Sequence, residues 1–169
     1  MTLILLSGRP GSGKTEVGKW LAENRGFIHI ETDTYAGLAT LNGLLGGFQC
    51  PGGAAVVHDR ARALGEKVVI EWGFRPKTEF HFVRQLRLAG FDPWWLDRNE
   101  KAARQGYMEA KGDSAPMHLY WEQVNAIEAA WPKLEKFYGD HIIRTVSPGA
   151  TALTVEQIAS RMLPDDADG

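Results

Sequence analysis

Cysteine is nearly missing: Cys50 stands alone among 169 residues. One thiol cannot close an internal disulfide, so a disulfide scaffold is excluded and a reducing, cytoplasmic setting is expected. An excess of one charge is missing as well. The formal net charge is -2, which gives no electrostatic case for a nucleic-acid surface. No apolar run approaches the length needed to cross a bilayer. The N-terminus lacks the basic region and small-residue cleavage site of a secretory signal, so no membrane association is expected. Internal repeats and low-complexity blocks are absent. The histidines His29, His58, His81, His118 and His141 lack metal-ligand spacing and read as structural or surface residues. The guanine-recognition pattern Asn/Thr-Lys-x-Asp is absent too, which argues against a GTPase.

What the chain does hold is an apolar strand-like run, Leu3-Ile4-Leu5-Leu6-Ser7, followed at once by Gly8-Arg9-Pro10-Gly11-Ser12-Gly13-Lys14-Thr15. Gly, four residues, then Gly-Lys-Thr between a strand and a helix is the phosphate-binding loop pattern. Glycines let the backbone curl so that its N–H groups converge on one anion. The following helix adds the positive end of its dipole. Lys14 is placed to reach the β- and γ-phosphates of a nucleoside triphosphate, and Thr15 to ligate Mg²⁺. A chance match in a glycine-rich turn would occur in roughly one chain in a hundred of this length, before the strand-helix context is required.

The remaining chain alternates strand and helix signals. The sequence predicts a helix over Lys14–Asn24 closed by Gly26, and a strand over Phe27–Ile30 that delivers Glu31-Thr32-Asp33-Thr34 to its far edge. Tyr35–Leu41 suggests a short helix, and the glycines between Gly43 and Gly53 a loop. A helix over Ala54–Leu64 follows. Lys67–Glu71 reads as a strand buried on both faces. Pro76 opens a helix running to Ala89, with Phe80, Val83, Leu86 and Leu88 as core contacts. A strand over Phe91–Asp97 leads into a basic helix over Arg98–Lys111. Met117–Tyr138 is helical, kinked or divided at Pro132, and its Trp121, Val124, Ile127, Ala130 and Trp131 set reads as core packing. A strand over His141–Val146 and a helix over Thr154–Leu163 complete one domain, residues 1–164, before an acidic tail, 165–169.

This alternation implies a parallel α/β sheet with right-handed crossovers, in which ligands bind beyond the C-terminal edges of the strands. Ser7–Thr15, Glu31–Thr34, Glu71–Arg75 and Asp97–Arg104 would then meet around one cleft.

With these residues in view, the sequence resembles the small P-loop kinases that phosphorylate metabolites or drugs, among them gluconate kinase, shikimate kinase, chloramphenicol phosphotransferase and the kinase half of polynucleotide kinase. The resemblance lies in Gly8–Thr15, in Asp33 just after the second strand, in Glu71 ending the third, and in Arg98 and Arg104 after the fourth. It implies a three-layer α/β/α P-loop NTPase fold with a five-stranded parallel sheet ordered 2-3-1-4-5, and ATP and Mg²⁺ as cofactors. Glu71 departs from the Asp common at that place. Arg104 followed by Lys111 departs from a dense arginine cluster in the lid.

The candidate roles follow. Gly8, Arg9, Pro10, Gly11, Ser12, Gly13, Lys14 and Thr15 would bind the triphosphate, with Thr15 and Glu71 at the metal. Arg104, with Arg98 as a second candidate, would close over the phosphates and stabilise transferring charge; a solvated basic face is the alternative. Asp33 would orient and deprotonate an acceptor hydroxyl, or merely cap a helix beginning near Thr34. Tyr35, Trp72, Phe74 and Arg75 would line the pocket of a small-molecule acceptor, or simply pack. A nucleotide kinase would want more arginines near the acceptor than Arg75 and Arg84. A nucleotide-binding switch that hydrolyses ATP slowly is the reading from another class.

Overall fold

The computed structural model describes residues 1–31, 52–146, 149 and 151–163. Its centre is β1 (Thr2–Gly8), whose side chains are buried in both directions. Leu3 and Leu5 face one side of the sheet, and Ile4 and Leu6 the other. A strand of this kind has to be covered twice, and the fold does so.

β1 pairs in parallel with β3 (Lys67–Glu71) on one side and with β4 (Asp92–Arg98) on the other. β2 (Ile28–Glu31) joins β3, and β5 (Ile142–Val146) joins β4, both in parallel. The sheet order is therefore 2-3-1-4-5, as the resemblance implied. All five C-terminal strand ends lie along the same edge.

On one face, α1 (Lys14–Arg25) packs beside α6 (Val155–Met162). Val17 and Leu21 meet Ile158, Ala159 and Met162 over Ile4, Leu6, Val69 and Leu96. Thr154 starts α6 with a capping box: its hydroxyl accepts from Gln157 N, while the Gln157 side chain accepts from Thr154 N. Such reciprocal capping satisfies two donors that a helix otherwise leaves open. The other face carries α2 (Gly53–Leu64), α3 (Pro76–Leu88) and α5 (Met117–Tyr138). Val57, Phe82, Val83, Leu86, Ile127 and Leu134 fill the space between these helices and the sheet. α4 (Glu100–Lys111) leaves the end of β4 and lies over the loop between β1 and α1. A 3₁₀ turn, Gly139–His141, links α5 to β5.

Two expectations about elements change and a third is narrowed. Leu88 is 88% exposed and Phe82 takes the core position instead. Val83 and Leu86, three apart, set the buried face, and two further residues rotate Leu88 by about 200° away from it. Arg98 closes β4 rather than opening the basic helix, which begins at Glu100 after Asn99 caps Ala102 N. α5 is one helix from Met117 to Tyr138 with Pro132 inside it. The donor that Pro132 lacks is offset by tertiary packing, since Ile127 and Leu134 on either side are buried in the core. The short helix expected over Tyr35–Leu41, and the glycine-rich stretch as far as residue 51, lie outside the described residues.

Candidate active site

The loop between β1 and α1 is built from glycines for two separate reasons. Gly11 and Gly13 hold φ values of 76° and 93°, the left-handed region that only glycine enters without cost. Gly11 also touches α4 so closely that a Cβ there would overlap the Ala103 carbonyl oxygen and stand 2.6 Å from Tyr107 N. From the other side, a Cβ on Gly106 would lie 2.8 Å from Gly11 O and 3.1 Å from Arg98 Nη1. Two glycines thus let a helix rest directly on the loop.

Lys14 Nζ donates to Arg9 O at 3.0 Å and to Gly8 O at 3.4 Å, so the ammonium lies across the loop's own carbonyls. Arg98 reaches in from the end of β4, and its Nη1 donates to Gly11 O at 3.1 Å. Thr15, in the first turn of α1, donates its hydroxyl proton to Glu71 Oε1 at 2.8 Å. Glu71 is 4% exposed. Burial favours the neutral acid, yet hydrogen bonds from His29 and Thr15 and the charge of Lys14 outweigh it, so the carboxyl is held below its ordinary range.

These groups border one cavity of about 1000 Å³ at the C-terminal edge of the sheet. Pro10–Val17 and Lys19 supply part of one wall, with Glu31, Glu71 and Gly73 at the ends of β2 and β3. Gly106, Tyr107, Tyr120 and Gln123 come from α4 and α5, and Thr145, Val146 and Leu153 from the β5–α6 side. The volume is at the upper end of the range for small-molecule and cofactor sites.

The residues fit a triphosphate with a divalent cation. Ser12 Oγ and Arg98 Nε, on two cavity-lining residues, are buried with no hydrogen-bond partner among the described residues. A buried donor left so costs about 1–3 kcal/mol, a cost that an anion in the cavity would remove. Among the described residues no three His, Cys, Asp or Glu side chains cluster around one point. The donor set beside the loop is one hydroxyl and one ionised carboxylate. That suits Mg²⁺, which is commonly bound by one or two protein groups together with phosphate oxygens and water.

The expected site residues divide into three sets. Pro10, Gly11, Ser12, Gly13, Lys14, Thr15, Glu71 and Arg98 are together at the cavity, and Gly8 anchors the loop's base, its carbonyl accepting from Lys14. Others lie apart from it. The Arg9 side chain turns away to Asp97 and Glu128 and lies 5.5 Å from the Trp131 ring centroid. Arg104 is exposed on α4, outside the cavity lining. Trp72 is 8% exposed, inside an aromatic cluster with Phe74 and Phe82. Its indole is too apolar to stay at a wet edge when a core lies beside it. Arg75 is exposed, and its backbone N–H donates to Glu79 at the start of α3. Asp33 and Tyr35 lie outside the described residues.

His29, which the sequence reads as structural or surface, lies at Glu71, with Nε2 3.1 Å from Oε2. A signal existed in the alternation Ile28-His29-Ile30-Glu31, which puts His29 and Glu31 on one face. The partner on β3 depends on register, which sequence periodicity does not carry. Gln123 and Tyr120 come to the cavity on α5 and had no local signal.

The fold is an α/β protein with a five-stranded, all-parallel sheet ordered 2-3-1-4-5 and helices on both faces. By structure the chain is similar to a gluconokinase from Sinorhizobium meliloti 1021, with a TM-score of 0.56 and 18% identity, covering 96% of this chain and 89% of that one. It is also similar to a sugar kinase from Janibacter sp. HTCC2649, with a TM-score of 0.57 and 19% identity, covering 95% of this chain and 91% of that one. At these identities the shared property is the fold. No family model matches the chain, and no curated protein matches it.

Proposed function

We propose that the protein is a kinase that transfers the γ-phosphoryl group of ATP to a hydroxyl of a small molecule, with Mg²⁺. The observation that carries this reading is the placing of Lys14, Arg98 and the Thr15–Glu71 pair around one cavity. Phosphoryl transfer needs little covalent help from a protein; it needs the reactants held in line and their charge neutralised. The likeness to a gluconokinase and a sugar kinase points the same way.

In this reading the loop amides, Ser12 and Lys14 bind the triphosphate. Lys14 leaves the Arg9 and Gly8 carbonyls to do so, exchanging two neutral acceptors for charged ones. Mg²⁺, when bound at Thr15 and Glu71, supplies charge neutralisation at the phosphate oxygens. Arg98 is the arginine best placed to neutralise charge on the transferring group. Arg104 would join it only by movement of α4. Asp33, two residues beyond β2, aligns the acceptor hydroxyl and takes its proton. Tyr35 would serve the acceptor, and Tyr120 and Gln123 of α5 supply cavity wall for it. Trp72 supports that wall from the core, and Arg75 would reach it only by leaving its exposed place at the start of α3. One domain over residues 1–164 in the cytoplasm, acting on a small acceptor rather than a nucleic acid or a membrane, completes the reading. Among the described residues no helix is long and apolar enough to cross a membrane.

The test is ADP formation with and without a panel of polyols, sugars, sugar acids, nucleosides and nucleoside monophosphates. Turnover that requires an acceptor, with phosphate recovered on it, supports the kinase. Acceptor-independent slow hydrolysis would replace it with a switch, and turnover on nucleoside monophosphates alone would make it a nucleotide kinase.

A further inference from the structure

Glu71 is held from two elements at once. Its Oε1 accepts the Thr15 hydroxyl at 2.8 Å, and its Oε2 faces His29 Nε2 at 3.1 Å. The second contact follows from strand register. His29 pairs with Val69 across the parallel β2–β3 ladder, and Glu71 is two residues further along β3. His29, Val69 and Glu71 therefore point to the same face, the one α1 covers. There the helix has Gly18, one turn beyond Thr15. A Cβ on Gly18 would overlap the imidazole ring at Nε2 and lie 2.8 Å from Cε1. A glycine within a helix costs about 1 kcal/mol relative to alanine, and here its bare face is what admits the ring.

We propose that His29 is a positioning residue that fixes the Glu71 carboxylate, through an Nε2–H···Oε2 hydrogen bond, with its other oxygen turned to Thr15 and the cation of a bound nucleotide. This rests on the nucleotide–Mg²⁺ reading above. The need for such a residue comes from side-chain length. Glutamate has one more rotatable bond than aspartate, so a glutamate at a strand end has more orientations to lose before it serves a cation. Thr15 alone holds one oxygen and leaves the carboxylate free to pivot about that bond. A second donor on the far oxygen removes the pivot. The ring is well held itself: its side chain is 9% exposed, walled by Gly18. Partners of this kind, one step back from a cation, typically change metal affinity 10- to 100-fold when removed.

The experiment measures Mn²⁺ binding to the protein–ADP complex by electron paramagnetic resonance, and ADP binding in EDTA on the same preparations. His29→Ala should weaken Mn²⁺ binding about tenfold or more while metal-free ADP affinity stays near wild type. His29→Gln, whose amide nitrogen can donate from a similar reach, should recover most of the loss. Gly18→Ala leaves the histidine in place but displaces the ring, so it should weaken Mn²⁺ binding as well, and it carries the test if His29→Ala does not fold. Unchanged Mn²⁺ affinity in folded His29→Ala overturns the proposal. So does a His29→Gln protein no better than His29→Ala, or a parallel fall in metal-free ADP binding, which would mark a general distortion. Wild-type protein that binds neither ADP nor Mn²⁺·ADP would instead overturn the nucleotide reading itself.

Discussion

Arg9 Nε donates to Asp97 Oδ1 at 2.8 Å, joining two residues 88 positions apart. Its Nη1 reaches Glu128 of α5 at 2.6 Å, and its guanidinium lies 5.5 Å from the Trp131 ring centroid. Burial works against its charge, but both carboxylates outweigh that and raise its pKa further above the ordinary value. The second residue of the phosphate loop is therefore a clamp: it ties the loop to the end of β4 and to the helix that borders the cavity.

Removing that clamp should cost stability before it costs chemistry. Arg9→Met keeps an apolar stem against Trp131 and leaves Asp97, 18% exposed, without its partner. Hydrogen bonds to charged groups contribute about 1.5–3 kcal/mol. Glu128 is more than half exposed and adds little. Urea denaturation should show a loss of that size, with ATP-analogue affinity reduced less than tenfold at a temperature where the variant is folded. A stability equal to wild type would show that the clamp is decorative.

Lys14→Ala should leave the fold intact, because its ammonium donates to two carbonyls of its own loop. Phosphoryl transfer should fall by at least about a hundredfold with loss of its charge at the phosphates. Single-turnover transfer and circular dichroism on the same sample check this. Wild-type turnover in folded Lys14→Ala protein would remove the basis of the functional reading.

Asp33→Asn separates catalysis from capping. Asn and Asp cap helices about equally well, but Asn cannot accept the hydroxyl proton. Transfer should drop roughly a hundredfold or more, with ATP affinity near wild type. Unchanged transfer would reduce Asp33 to a cap, and lost ATP affinity would move it to the cation.

Glu71 makes acid stability informative. Its carboxyl is held below the ordinary 4.5 in the folded protein. A depressed folded value means stability that is present above the unfolded value and lost as pH falls through the folded one. The stability gap between wild type and Glu71→Gln, measured by denaturant in the absence of nucleotide, should therefore narrow as pH is lowered from 7 to below about 4.5. A gap that holds constant or widens would mean that the folded state does not favour the charged form.

Local patterning was sufficient for much of this protein. Leu3–Leu6, unbroken and apolar, read as a strand, and Gly8–Thr15 behind it as a tight phosphate-binding turn into a helix. Alternation of strands and helices carried the parallel architecture, because a parallel strand pair needs a long crossover. Those are short-range properties, visible in a window of a dozen residues. Other outcomes depended on what stood opposite. Trp72 belonged to the core because Phe74 and Phe82 stood beside it. Arg9 faced Asp97 because β4, far away in the chain, ends beside the loop. Arg98, and not Arg104, came to the cavity because β4 runs one residue further than its apolar pattern and points that side chain at Gly11. His29 met Glu71 because the β2–β3 register placed it two residues behind Glu71 on a shared face, and because Gly18 left room. Register, crossing contacts and vacant volume belong to pairs of distant segments. Each segment holds only half of that information, and the folded chain alone brings the halves together.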